Sequence, residues 1–236
     1  MKLRATLVGA GGLGGPIALA LGAAGIELVI ADDDIVELSN LQRQIQFTSA
    51  DLGQPKAARL AELVESRGGL ARPVAARWTE ATADELGDDA AIVIDASDDP
   101  ATKFAVADWA VASGRCYVIA AALRYGGNVM AGAPGAACYR CLFEAPVEAP
   151  SCADAGVLGP VVGAIGGVAA AVALGLVHGD RALAGALLVF DDLRRASDPR
   201  IVRFVPRKGC PACARAPISP SMASSLATPV RVAENR

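Results

Sequence analysis

Histidine is nearly missing from this 236-residue chain; His178 is the only one. Histidine relays and imidazole-rich metal sites are excluded before any motif is read. Positive charge is not in excess either. The formal net charge is -3, which leaves no electrostatic footprint for a nucleic acid or an anionic membrane. The opening residues, Met1 to Val8, lack the apolar core of a secretory leader. A cytoplasmic location is expected, and with it reduced thiols rather than a disulfide scaffold. Internal repeats and a disorder signature are also lacking. Hydrophobic residues make up 53% and charged residues 20%, enough apolar material for a core. One uncharged run, Val157 to Val177, is long enough to span a bilayer. It holds Pro160 and many glycines and alanines, and no cluster of Lys or Arg flanks it. It is read as a buried helix, with Gly159, Gly163 and Gly167 letting a neighbouring element approach closely. His178 is read as that helix's C-terminal residue.

The length fits one large domain, assigned to residues 1–215. Residues 216–236, rich in Ser, Pro and Ala, are expected to form a loosely held tail. Strands are predicted at Leu3–Val8, Glu27–Ala31, Pro73–Trp78, Ala91–Asp95, Cys116–Ala121, Gly127–Ala133, Leu187–Phe190 and Ile201–Phe204. Helices are predicted at Pro16–Ala24, from Pro55 to about Arg67, after Pro100 through Ser113, and at Gly159–Leu176. Residues 35–53 read as a functional loop with a short helix. Strands and helices alternate in the first half, and the second half is rich in strands. The expected fold is therefore α/β, a Rossmann-like doubly wound and largely parallel sheet that becomes mixed in the C-terminal half.

Gly9-Ala10-Gly11-Gly12-Leu13-Gly14 follows the first strand and precedes the first helix. Such a G-x-G-x-x-G turn lets backbone N–H groups approach phosphates at a helix N-terminus, and here it points to a nucleotide. Asp32 ends the next strand, at the spacing of an acid that holds a ribose. The turn alone does not say which nucleotide. Ser39-Asn40-Leu41-Gln42-Arg43-Gln44 follows, then Lys56 and Asp98. Two cations, an amide and a carboxylate could converge above the C-terminal edge of the sheet. Cations stabilise a charged phosphorus centre, and a carboxylate can hold Mg²⁺. Each also has a plainer reading: Arg43 and Lys56 as solvated surface cations, and Asp98 as the N-cap of the helix after Pro100.

Four of the six cysteines form two Cys-x-x-Cys pairs, Cys138/Cys141 and Cys210/Cys213. Four thiolates suit tetrahedral Zn²⁺ and leave no open position for a substrate, so the expected role is structural. Cys116 lies in an apolar strand and reads as core.

Taken together, these pieces resemble the ThiF/MoeB/HesA family, the bacterial relatives of ubiquitin-activating enzymes. The matching residues are the Gly9–Gly14 turn, Asp32-x-Asp34-x-Val36, Ser39–Gln44, Gly53-Gln54-Pro55-Lys56, Asp95-x-Ser97-Asp98, Cys138-Tyr139-Arg140-Cys141, Ala155–Pro160 and Gly209-Cys210-Pro211-x-Cys213. The resemblance implies ATP-dependent adenylation of the C-terminal Gly-Gly carboxylate of a small ubiquitin-like sulfur-carrier protein, with release of pyrophosphate. Gly9, Gly11 and Gly12 would line the nucleotide pocket together with the Ser39–Gln42 segment. Asp32 would hold the ribose, Asn40, Arg43 and Lys56 the phosphates, and Asp98 Mg²⁺. A homodimer is implied, as is a sulfurtransferase or cysteine desulfurase as a further partner. Cys152 stands where the family has a sulfur-handling cysteine; its alternative is a bystander thiol. Relatives also carry, ahead of the first strand, a segment whose arginine reaches the neighbouring subunit's nucleotide. Here Arg4 lies within the strand, and Asp99 stands where relatives often have Asn. Two other readings compete: a nicotinamide-dependent oxidoreductase, which leaves Arg43, Lys56 and the cysteines unexplained, and a non-catalytic carrier-binding relative.

Overall fold

The computed structural model describes residues 3–146, 155–195 and 198–215. Its elements run β1 (Arg4–Val8), α1 (Gly14–Ala23), β2 (Glu27–Ala31), α2 (Lys56–Ser66), β3 (Leu70–Val74), α3 (Ala83–Gly87), β4 (Ile92–Asp95), α4 (Pro100–Ala112), β5 (Cys116–Leu123), β6 (Gly126–Gly132), α5 (Tyr139–Leu142), α6 (Gly159–Val177), β7 (Ala186–Phe190) and β8 (Arg200–Arg203). All eight strands form one sheet in the order β3-β2-β1-β4-β5-β6-β7-β8. The first five pair in parallel, and β6, β7 and β8 are added antiparallel. The expected change from parallel to mixed therefore falls at the β5–β6 hairpin.

Side chains alternate between the faces of a strand, and the core divides accordingly. Leu7, Ile30, Ile94 and Val118 face a layer built from α1, α2 and α6. Val8, Ala31, Val93 and Ile119 face α3 and α4. Strands buried on both faces show as continuous apolar runs, which is why β1, β2, β4 and β5 are found where the sequence predicts them. The third strand is not. It covers Leu70–Val74 instead of Pro73–Trp78 and lies at the sheet edge, pairing only with β2. An edge strand tolerates Pro73 because one of its sides needs no ladder hydrogen bond.

The apolar run becomes α6, long and apolar enough to cross a membrane by length and composition. It packs as a core helix, with Val161, Ile165, Ala169, Ala173 and Leu176 buried, against α1, β5 and β6. The glycine stripe expected on it needs correction. A Cβ on Gly163 or Gly167 would meet nothing, whereas one on Gly166 would lie 2.9 Å from the Leu13 carbonyl oxygen and one on Gly159 2.7 Å from that of Gln42. Close approach recurs after seven residues, two helical turns, not after four.

The first turn also fixes a glycine. A Cβ on Gly14 would lie 2.1 Å from the Gly9 carbonyl oxygen. Gly14→Ala is expected to cost about 3 kcal/mol of stability, because backbone must move in a packed turn. Urea unfolding measures this, and a loss under about 1 kcal/mol would show that the turn has room.

Candidate functional site

From β1 the chain winds outward through β2 to β3, then returns to the other side of β1 as β4. Ligands of such sheets bind at this switch point, beyond the carboxyl ends of the strands. An open cavity of about 950 Å³ lies there. Gly9, Gly11, Gly12, Asp32, Asn40, Arg43, Lys56 and Asp98 all line it. The convergence expected of these residues is therefore met. Ser39, Leu41 and Gln42 do not line the cavity; Ser39 and Asn40 belong to a 3₁₀ turn over Leu38–Asn40 that carries Arg43 in behind it.

The Gly-rich turn is clamped from two sides. Gly9 has φ +93°, a conformation glycine adopts readily. Its N–H bonds the Ala31 carbonyl at 2.9 Å, and the Ala10 N–H donates to Asp32 Oδ2 at 2.7 Å. Asp32 Oδ1 accepts the Asp34 N–H at 2.8 Å. Burial raises the Asp32 pKa, and these two N–H groups work against the rise. From the other side Gln46 Nε2 donates to the carbonyls of Ala10 at 2.9 Å and Gly11 at 2.8 Å. C=O and N–H point oppositely across a trans peptide. Holding both carbonyls on Gln46 turns the Gly11 and Gly12 N–H groups away from it. Gln46 stands outside the cavity that those glycines line, so the N–H groups are set for an anion.

The two cations are held differently. Arg43 Nη2 donates to Asn40 Oδ1 at 2.6 Å, leaving the rest of its fork to the cavity. Lys56, the first residue of α2, is only 5% exposed, and its ammonium lies 2.9 Å from Asp34 Oδ2. Asp98 is exposed and has no hydrogen bond or ion pair among the described residues. The N-cap of α4 is its neighbour: Asp99 accepts the Ala101 N–H at 3.2 Å and the Thr102 N–H at 2.9 Å. Burial alone would raise the Asp99 pKa, but the Thr102 hydroxyl and these N–H groups outweigh it and leave it lowered. The capping alternative for Asp98 is thereby ruled out, and its carboxylate is free for a cation.

Sequence reasoning missed three residues here. Gln44 is 4% exposed and touches the turn, with a Cβ on Gly11 falling 3.4 Å from its Nε2. Gln46 carries no signal in the sequence beyond its place near Arg43. Lys103 reads as an ordinary helix lysine, yet it is 6% exposed and paired at 2.7 Å with fully buried Asp95. Asp95 has its pKa raised by burial, against the pull of Lys103. Cys152 lies outside the described residues, as does the tail from 216 to 236.

At the far end of the sheet the four predicted thiols meet. Cys138 Sγ is 3.8 Å from Cys141 and 3.5 Å from Cys210, and Cys141 Sγ is 3.4 Å from Cys213. All four ligand atoms lie within 4.8 Å of one another, and the cysteines are free thiols. Burial, then the contact with Cys210, pushes Cys138 up to about 11. Burial also opposes ionisation of Cys210, but the N–H groups of Cys213 and Ala212 bring it down to about 7. A second acidic group, Asp32–Asp34, is equally tight, but Asp33 is paired with Arg77 and Asp34 with Lys56.

The ThiF family model matches residues 1–212. The chain belongs to the ThiF family. A sulfur carrier protein adenylyltransferase of Thermus thermophilus is 39% identical over 225 residues, which cover 89% of this chain and 82% of that protein. The sulfur carrier protein ThiS adenylyltransferase of Escherichia coli is 38% identical, with 88% of this chain and 84% of that one covered. Among solved structures, E. coli MccB with ATP superimposes with a TM-score of 0.75 at 18% identity, over 89% of this chain and 66% of MccB; that likeness speaks to the fold. Family membership bears out the resemblance read from the Gly9–Gly14, Ser39–Gln44 and Cys-x-x-Cys segments. These ThiF relatives are named for adenylyl transfer, the enzyme class expected from the sequence.

Proposed function

We propose that this protein uses ATP to adenylate the C-terminal carboxylate of a small sulfur-carrier protein ending in Gly-Gly. The observation that carries the reading is one shared cavity. Turn N–H groups, Asp32, Arg43, Lys56 and Asp98 share it with a second stretch of wall formed by Tyr125, Gly126, Gly127 and Phe190 from the β5–β6 hairpin and β7. Its volume of about 950 Å³ is at the upper end for small-molecule sites, which suits a nucleotide and a thin peptide tail together. Gly126 and Gly127 let that stretch of wall pack closely on its neighbours, since a Cβ on Gly126 would lie 2.2 Å from the Phe190 carbonyl oxygen and one on Gly127 2.5 Å from that of Ala121.

In this reading Asp32 holds the ribose and the Gly11 and Gly12 N–H groups face the phosphates. A carboxylate oxygen of the carrier attacks the α-phosphorus. The bond from that phosphorus to the bridging oxygen breaks, and pyrophosphate leaves with its electron pair. The nucleophile is already ionised at neutral pH, so no general base is needed, consistent with a chain that has one histidine. Arg43 and Lys56 offset the charge that builds on the phosphoryl oxygens. Asp98 fits as a protein ligand of Mg²⁺, which takes one or two carboxylates together with phosphate oxygens and would neutralise phosphate charge. The four thiols fit structural Zn²⁺, for which Zn–S bonds of ~2.3 Å put tetrahedral sulfurs ~3.8 Å apart.

ATP–pyrophosphate exchange tests the proposal. Exchange is expected with a carrier ending in a free Gly-Gly carboxylate, and none with the same carrier amidated at its C-terminus. Equal exchange with both carriers, or none with either, would refute it.

A further inference from the structure

The buried pair of Asp95 and Lys103 is not demanded by the fold. Burying two charges commonly costs more than their attraction returns, and apolar side chains of similar volume would serve packing as well. The pair instead grips a loop. Asp95 closes β4. Its Oδ1 accepts the Ser97 hydroxyl at 2.6 Å and the Ser97 N–H at 3.3 Å, and its Oδ2 lies 2.7 Å from Lys103 Nζ. Lys103 Nζ also donates to the Ser97 carbonyl at 2.7 Å and the Ala120 carbonyl at 2.9 Å. An ammonium has three protons, and all three are used. The tripod thus joins the end of β4 and the middle of β5 to the first turn of α4, and it holds Ser97 by its hydroxyl, its N–H and its carbonyl. Asp98 comes next, and beyond it Asp99 is fixed as the cap of α4. Asp98 therefore stands between two clamped residues.

We propose that the Asp95–Lys103 pair is a positioning element: it fixes the Ser97–Asp98 loop and so holds the Asp98 carboxylate ready for a divalent cation on the phosphates of the substrate. This rests on the reading of the cavity under Proposed function. Lys103 is a positioning residue, acting through the backbone of Ser97 and Asp98. It explains why Lys103, which lines the cavity, is paired with a buried carboxylate where packing alone requires none, and why the Asp98 carboxylate stays free while its neighbours are tied.

Three variants test it. Lys103→Met leaves an unpaired buried carboxylate and is expected to lower Tm by roughly 10 °C. Lys103→Met with Asp95→Asn removes both charges, keeps the shape and recovers most of that loss, yet the Ser97 and Ala120 carbonyls still lack their donor. In the double variant, the Mg²⁺ concentration for half-maximal exchange is expected to rise about 10-fold or more, as for other outer-shell changes. The affinity of the ATP complex for Mn²⁺, read by electron paramagnetic resonance, falls by the same factor. Hydrogen exchange of residues 97–102 speeds up, with α6 unchanged. Ser97→Ala leaves the ion pair intact and removes one clamp; it is expected to shift both metal constants roughly threefold in the same direction. Metal constants within twofold of wild type in both the double variant and Ser97→Ala overturn the inference and leave the adenylation reading standing. A wild-type protein that binds neither ATP nor its Mn²⁺ complex overturns that reading itself.

Discussion

Replacing Arg43 with alanine is expected to lower ATP–pyrophosphate exchange by about 10²–10³-fold, the range for loss of one preorganised donor to a developing oxyanion. The side chain is already held in place. One guanidinium nitrogen is anchored on Asn40 Oδ1 at 2.6 Å, and the residue lines the cavity beside Gly12. The backbone supports this placement: a Cβ on Gly12 would fall 3.1 Å from the Arg43 carbonyl oxygen, so the loop and the Gly-rich turn are packed together. A fork fixed at one nitrogen can donate from the others without losing further rotamer freedom. Charge on the α-phosphoryl group builds only as the carboxylate attacks, so the loss is expected in kcat more than in KM for ATP. Lys56 gives a smaller effect on this reasoning, because its ammonium already faces Asp34 at 2.9 Å. An Arg43→Ala protein that exchanges within tenfold of wild type would remove Arg43 from the phosphate site.

The sequence carried the chemistry of this cavity better than its support. Gly9–Gly14, Asp32, Arg43 and Asp98 were legible because each must follow a strand end or a turn, and strands buried on two faces leave plain apolar runs. The edge strand β3 was displaced because its residues are largely exposed and give no apolar pattern to read. The short helices α3 and α5 span five and four residues, too few for helical periodicity to show. Asp98 and Asp99 are adjacent acids before a proline, and sequence does not say which one caps; only the hydrogen bonds do. Lys103 and Gln46 were missed for one physical reason. Besides Asp95 for Lys103, their partners are backbone carbonyls, those of Ser97 and Ala120 for one and of Ala10 and Gly11 for the other, and a carbonyl leaves no trace in residue identity. The four cysteines are the opposite case, since a thiol set states its own ligand chemistry.

Freshly purified, reduced protein is expected to hold one zinc per chain, and stripping it with a chelator is expected to lower Tm by about 10 °C and free the segment after β8. The two halves of the thiol set are secured unequally. Cys138 and Cys141 flank a knuckle tied to the body: the Tyr139 N–H donates to the buried Tyr117 hydroxyl at 2.8 Å, and Arg140 pairs with Asp108 at 2.7 Å. Tyr139 also packs edge-on against Phe104, with ring centroids 4.9 Å apart. Cys210 and Cys213 lie in a stretch with little other hold. Val205 is 80% exposed, and the main ties are Arg207 to Glu144 and to the Arg140 carbonyl, surface contacts of small value. A tetrathiolate zinc site is worth on the order of 10 kcal/mol at neutral pH in small domains, far more than those contacts. Without the cation, sulfurs 3.4–3.8 Å apart offer only weak S–H···S contacts in its place, so residues 204–215 should exchange their amide hydrogens at nearly unfolded rates while β1 and β4 stay protected. Cys210→Ser should give the same pattern with no chelator. Metal-free protein with an unchanged Tm would show that the four thiols pack as an ordinary buried cluster. Because Tyr139, which lines the cavity, is held from the body by Tyr117 and Phe104, ATP binding should survive loss of the cation even as residues 204–215 come free.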